Sequence, residues 1–466
     1  MGEGHSHRLI ARLWERARAF TEDRLLRRVV RNSAYLFISN VIAAVLGIVT
    51  ANLLGASVFG TLGILTGFVT DINRLFSFRM NDVVVRYMGE ALAQHDKARA
   101  SAVVKAAALV EGAASVFAFL ALVLLAPIGA RYFAKDASLT PLFLLYGGSI
   151  LANVVNETST GVLQVTGHFR SQALINLAQS VLVAGIIVHA ALTGGGLMEV
   201  LWAYLLGKVI LGLGPVAVAL YWAKRVLGAG WWRASFALLP PWKELLRFGI
   251  STNFSGTINL IARDSEVPLV GFFFGPQIAG YYKIALQVIN LLIMPINPFI
   301  GTTYPEITRA WAGREWTRLK NLLRRVSMIA GGWSVLAGVG LGLFGEAVLF
   351  SPIPLFGRTF QLYKAEYLPA MPVLMILLVG YGVANTFFWS RLLLLSQGKA
   401  DHALRISFWA MLGKLALAVL FLPGAGYLME AVFLSGYFIL STGWMVALGL
   451  THLKIAAAQG ESPQTG

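Results

Sequence analysis

A chain of 466 residues in which 57% are hydrophobic and only 13% charged, with a mean hydropathy of +0.69, departs far from the usage of soluble globular domains and reads as an integral membrane protein. It has no cysteine, so disulfides and thiolate metal sites are excluded, and the seven histidines show no metal-ligand spacing; neither a metal nor a cofactor is expected. No Gly-rich phosphate loop ending in Lys-Ser/Thr and no Ser-His-Asp motif stands out, which argues against an ATPase or a hydrolase, and the net charge of +16 is assigned to membrane orientation rather than to nucleic acid.

The chain begins with a basic arm over 1–31 that carries Arg8, Arg12, Arg16, Arg18, Arg24, Arg27, Arg28 and Arg31 and has no small-residue cleavage site, so it is read as a cytoplasmic arm rather than a signal peptide. Leu9, Ile10, Leu13, Ala17 and Phe20 give it an apolar side suited to the membrane surface. With about 20 apolar residues as the length of one span, twelve crossings follow: 32–54, 57–79, 103–127, 140–163, 172–193, 197–222, 245–274, 277–303, 325–349, 367–391, 402–422 and 426–452. Alternate loops then separate the charges. Arg131, Lys135, Arg358 and Lys364 are the Lys and Arg residues of the outer loops, whereas those of the inner loops are far more numerous, and Trp222, Trp231, Trp232, Trp242, Trp311 and Trp316 sit at the inner interface. Both termini are expected in the cytoplasm, with the protein multi-pass in the inner membrane.

The sequence also repeats. Leu54-Gly55 through Phe59-Gly60 matches Phe274-Gly275 through Ala279-Gly280, and Gly167 with Leu197-Met198-Glu199 matches Gly398 with Leu428-Met429-Glu430. The predicted fold is all-α, with twelve transmembrane helices in two homologous six-helix halves around a central cleft: 32–222 and 245–452, joined by a cytoplasmic linker over 223–244 and followed by a cytoplasmic tail over 453–466.

Polar residues inside the spans mark candidate sites, because a charge near mid-bilayer costs about 2.5–3.5 kcal/mol on insertion scales. Crossing two carries Asp71, Arg74, Phe78, Asp82 and Arg86 on one face, and Asp71 and Arg74 are spaced to pair within the helix. Glu111, Glu157, Lys208, Lys283 and Lys414 are further deep charges. In crossing seven, Thr252, Ser255, Asn259, Arg263 and Glu266 recur at steps of three and four, which predicts one polar stripe, with Asp264 beside Arg263. Pro268, Pro295 and Pro298 interrupt crossings seven and eight and predict bends, read either as hinges or as packing curvature.

Asn32-Ser33 through Gly55 and Gly60, Val85-Arg86-Tyr87, Leu163 through Gly167-His168-Phe169-Arg170, Leu245 through Gly249, and Leu395 through Lys399 give the chain, over residues 28–455, a resemblance to the Wzx-type polysaccharide flippases of the MOP exporter superfamily, relatives of MATE exporters and lipid II flippases. The resemblance implies transport, not catalysis: an undecaprenyl-diphosphate-linked oligosaccharide moved from the inner to the outer leaflet by alternating access. It makes Arg74, Arg263, Lys283 and Asn259 the candidate cleft residues for substrate, and Arg79, Arg86 and Arg247 the loading mouth. Asp71, Asp264, Glu266 and Glu157 are candidates for a coupling proton or sodium ion. Membrane lipids and glycan polymerase or assembly proteins are the other expected partners. Two other readings compete. A cation-coupled multidrug exporter of the same superfamily would use those carboxylates for a cationic cargo, and a membrane-embedded glycosyl or acyl transferase would need a catalytic constellation that is not evident.

Overall fold

A computed structural model of the protein describes residues 24–239, 241, 243, 253–355 and 358–461. Most of the basic arm, Thr252 and Arg247 lie outside the described residues. Among the described residues ten helical segments are long and apolar enough to cross a membrane. The first of them, Ile38–Ala93, holds both of the first two predicted crossings, and the predicted seventh falls partly outside the described residues. Among the described residues the fold is all-helical apart from one hairpin of two three-residue strands, β1 (Ile353–Leu355) and β2 (Arg358–Phe360), antiparallel with Ile353 opposite Phe360.

The first half contains α1 (Arg24–Phe76), α2 (Lys97–Ile128), α3 (Thr140–Ala152), α4 (Asn156–Val165), α5 (Phe169–Thr193) and α6 (Leu197–Leu227). The second contains α7 (Glu266–Phe274), α8 (Pro276–Ile293), α9 (Asn297–Ala312), α10 (Trp316–Phe350), α11 (Ala370–Thr386), α12 (Trp389–Ser396), α13 (Ala400–Phe421) and α14 (Leu428–Glu461). Exposed Leu124, Leu192, Leu343 and Leu420 give the outer helix faces the apolar surface that lipid requires.

The backbone repeats where the sequence repeats. Gly55 bends α1 with φ 76° and ψ 167°, and Gly275 separates α7 from α8 with φ 85° and ψ 179°, conformations that favour glycine. The second crossing breaks after Phe76, and the eighth passes through a 3₁₀ turn at Met294–Ile296, where Pro295 withholds an amide hydrogen and Pro298 opens α9. The fourth and tenth crossings are both split, between α3 and α4 and between α11 and α12.

At the Gly55 end the halves are sealed together by a quasi-twofold contact. A Cβ on Gly60 would collide with the Pro276 carbonyl, and a Cβ on Gly280 would collide with the Ala56 carbonyl, so glycine at both positions allows α1 and α8 to touch backbone to backbone. Asn52 donates to the Leu362 carbonyl at 2.7 Å and accepts from the Lys364 amide at 3.0 Å, while the Tyr367 hydroxyl donates to the Ala51 carbonyl at 2.7 Å. Phe59, Tyr282 and Tyr367 fill the interior beside this seal.

Candidate functional site

The two arms of the cleft are set by helix breaks. In the first half the chain turns out of α1 at Ser77–Arg79, where Arg79 adopts the left-handed region (φ 50°) without being glycine, then continues as Met80–Val83. In the second half, helical residues 253–259 widen into a π turn over Leu260–Asp264 before α7 begins at Glu266. The π turn corrects the predicted stripe. Its extra residue rotates everything after it, so Ser255, Asn259 and Arg263 line the cleft side while Glu266 turns into the core of the second half.

Between these arms lies a polar cavity of about 290 Å³ bordered by Arg79, Asp82, Ser255, Asn259, Arg391 and Asp401. Arg391, the third residue of α12, donates to the Ser255 hydroxyl at 3.1 Å and stands close enough to Arg263 and Arg79 to be repelled by both. Arg79 pairs with Asp82 at 3.3 Å, and Arg86 with Glu90 at 3.5 Å. Above this cavity, Asp264 is shared: Arg74 of the first half reaches it at 3.0 Å and Arg263 approaches it at 3.4 Å. The expected pairing of Arg74 with Asp71 inside one helix gives way to an ion pair that joins the two halves. Its side chains are 53% and 36% exposed, so it lies in the wet part of the cleft and contributes only about 0–1 kcal/mol. Lys283 is apart from these groups. Its ammonium lies 4.1 Å from the Phe59 ring centre, its stem packs on Gly63, and it borders the seal. Pro268 packs against Gly67 of α1, whose absent Cβ leaves the room it needs.

A second polar cavity, of about 250 Å³, lies inside the first half and is bordered by Asn73, Arg74, Glu111, Asn153, Glu157 and Lys208. It exists because α4 starts in mid-span. Glu111 meets that exposed helix start with both carboxylate oxygens, accepting from the backbone amides of Glu157 at 2.7 Å and Thr158 at 2.8 Å. Ser77 donates to Glu157 at 2.8 Å, and the other Glu157 carboxylate oxygen is buried without a hydrogen-bond partner. Arg74 thus borders this cavity while it pairs with Asp264 of the second half.

Glu266 has a different partner from the one its sequence position suggests. Lys414 of α13 donates a hydrogen bond to it, forms an ion pair with Glu430 of α14 at 2.9 Å, and also donates to the Ala262 carbonyl at 2.9 Å. The π turn releases that carbonyl from the regular ladder. All three side chains are at most 3% exposed. The triad locks crossings seven, eleven and twelve to one another and removes Glu266 from the cleft. Sequence reasoning missed Arg391, the last residue of the tenth predicted crossing, and gave Glu430 only a place in the repeat. Both contacts join distant helices, and no local spacing signals them.

The arrangement offers an anion a set of guanidinium groups that are exposed, incompletely paired and drawn from both halves. Comparisons with known proteins bear on the family and the fold. Residues 29–311 match the family model described as polysaccharide biosynthesis protein. The inner membrane protein YghQ of Escherichia coli (strain K12) is 24% identical over 341 residues, covering 70% of this chain and 93% of that protein. The teichuronic acid biosynthesis protein TuaB of Bacillus subtilis (strain 168) is 25% identical over 185 residues, 40% of this chain and 36% of that protein. Among solved structures, an inward-facing multidrug resistance MATE family transporter of the MOP superfamily aligns with a TM-score of 0.71 at 15% identity, covering 91% of this chain and 96% of that one. The lipid II flippase MurJ in an inward closed conformation aligns at 0.69 and 14% identity, covering 92% and 90%. Identities this low establish the shared fold.

Proposed function

Because the chain belongs to the polysaccharide biosynthesis protein family, we propose that this multi-pass membrane protein flips lipid-linked (undecaprenyl-diphosphate) oligosaccharide or polysaccharide repeat units from the inner to the outer leaflet by alternating access. On this reading it sits in the cytoplasmic membrane with both termini inside. The seal at Gly60 and Gly280 then closes the outer side, and the cavity beside Arg79 and Arg391 is the inner loading side.

The observation that carries the reading is the shared Asp264, held by Arg74 from one half and Arg263 from the other. One carboxylate between two guanidiniums leaves a positive charge over, and Arg391 adds a third guanidinium, hydrogen-bonded to the Ser255 hydroxyl. A diphosphate is the ligand these groups suit, since guanidinium forks bind phosphate oxygens in pairs. Its arrival displaces Asp264, which then needs a proton or a sodium ion, and the exchange links cargo to an ion gradient. Binding that bridges both halves also gives the cargo control over their relative position.

The test is transport of lipid-linked glycan in proteoliposomes by Arg263→Ala and Arg391→Ala proteins. Each loses a charged hydrogen bond of about 1.5–3 kcal/mol and should transport about 10- to 100-fold more slowly at low substrate, with lysine restoring part of the loss. A double alanine protein that inserts normally and transports at the wild-type rate would refute the assignment. Glu111 and Glu157 in the first-half cavity favour a second reading, a cation-coupled multidrug exporter; it predicts export of organic cations that does not depend on Arg263 or Arg391.

A further inference from the structure

A groove of about 460 Å³ runs down the outside of the second half, between α10, the α11–α12 break and α14. One end is basic, with Lys320 and Arg324, and the rest is apolar, with Met328, Phe387, Trp389 and Leu450. It shares no lining residue with either polar cavity, and the transport reading does not use it. We propose that this groove binds a diacyl phospholipid with an anionic headgroup, such as phosphatidylglycerol, as a resident lipid.

The order of residues along α10 matches the order of parts in such a lipid. Lys320, Arg324 and Met328 are spaced by four residues, so they form one row along the helix with a rise of about 6 Å per step. Cations come first and the thioether last, as headgroup precedes acyl chain. The depth also fits. α10 has 35 residues and is about 52 Å long against a hydrocarbon core of about 30 Å, so its first turns stand at the headgroup level. Trp311 and Trp316, with ring centres 5.3 Å apart, mark the same level, where indoles collect.

Charge decides the headgroup. The carboxylates nearest in sequence are engaged elsewhere: Glu306 by Arg309 and Arg318, both at 3.1 Å, and Glu315 by Arg318 at 2.8 Å. Lys320 and Arg324 are exposed and lie over an apolar trough, an arrangement that draws a net-anionic headgroup rather than a zwitterionic one. The trough floor is firm, because the Trp389 indole donates to the Ser327 hydroxyl at 2.6 Å and fixes its ring against α10. The groove also spans the break between α11 and α12, so a lipid lying in it braces a split helix.

The experiment uses the purified full chain and phosphatidylglycerol and phosphatidylcholine of identical acyl chains, with bound lipid read by native mass spectrometry. Wild type should retain phosphatidylglycerol selectively. Removing both groove charges in a K320Q/R324Q protein should cut that preference about 30-fold, the product of two contributions of roughly fivefold each. R324Q alone should lose about half of it on a logarithmic scale, and serves if the double variant folds poorly. R325Q, which changes an exposed charge on the same helix outside the groove, should keep it. Equal retention of the two lipids by wild type, or an equal loss in R325Q, would overturn the proposal. So would displacement of phosphatidylglycerol by undecaprenyl phosphate at equimolar concentration, which would give the groove to the cargo lipid.

Discussion

Replacing Lys414 with methionine removes the cation that neutralises two buried carboxylates while nearly preserving side-chain length. Glu266 and Glu430 are 1% and 0% exposed, and the ammonium is the group that ties them to each other and to the Ala262 carbonyl. Removing one partner of a buried ionic cluster costs about 3–5 kcal/mol, because the charge left behind has neither water nor a counter-ion. The clefted pair offers an internal comparison. Arg74→Ala breaks an ion pair that is half in water, which is worth about 0–1 kcal/mol. With a shift of about 2–4 °C per kcal/mol for a unit the size of one half, Lys414→Met should lower the thermal midpoint in detergent by about 6–20 °C and Arg74→Ala by at most a few degrees. Intrinsic tryptophan fluorescence on heating reads both. A triple variant, Glu266→Gln with Lys414→Met and Glu430→Gln, removes the charges together and should regain most of the loss, since neutral replacements of buried ion clusters are often tolerated. A Lys414→Met protein that melts with wild type would refute the triad as a structural lock, and so would an Arg74→Ala protein that is equally damaged.

Gly60→Ala and Gly280→Ala each place a methyl group against a carbonyl of the other half, an overpacking of about 1–3 kcal/mol concentrated in the seal. Either should raise the reactivity of a buried Ala51→Cys reporter towards a thiol reagent; unchanged labelling would show that the glycines do not hold the closed state. Asp264→Asn and Asp71→Asn test the coupling route, and at least one should flatten the dependence of glycan transport on pH or sodium gradients. Unaltered gradient dependence in both would leave these carboxylates with charge balance alone. Because the chain has no cysteine, Ser57→Cys and Ser396→Cys report topology directly. They should react with an impermeant reagent from opposite sides of the membrane, and labelling from one side would break the assigned orientation.

The membrane class, the helical architecture and the internal repeat were legible in the amino-acid order, because hydropathy and glycine spacing are properties of local stretches. Gly55 and Gly275 show this best: their shared surroundings in the sequence became the same left-handed bend in the structure. The prolines at 295 and 298 likewise marked the place where the eighth crossing is interrupted, at the 3₁₀ turn and the start of α9. Partner choice was not local. A regular helix would have placed Glu266 on the face of Arg263, but a π turn at Leu260–Asp264 shifted the phase and gave Glu266 to Lys414 and Glu430, on helices about 150 residues further along the chain. Arg74 had a carboxylate three residues away and took Asp264 instead, because the packing of two halves set the distance. Composition could supply the charges, but only the crossing of helices from both halves decided which of them meet water, which are buried with a counter-ion, and which remain free for an anion.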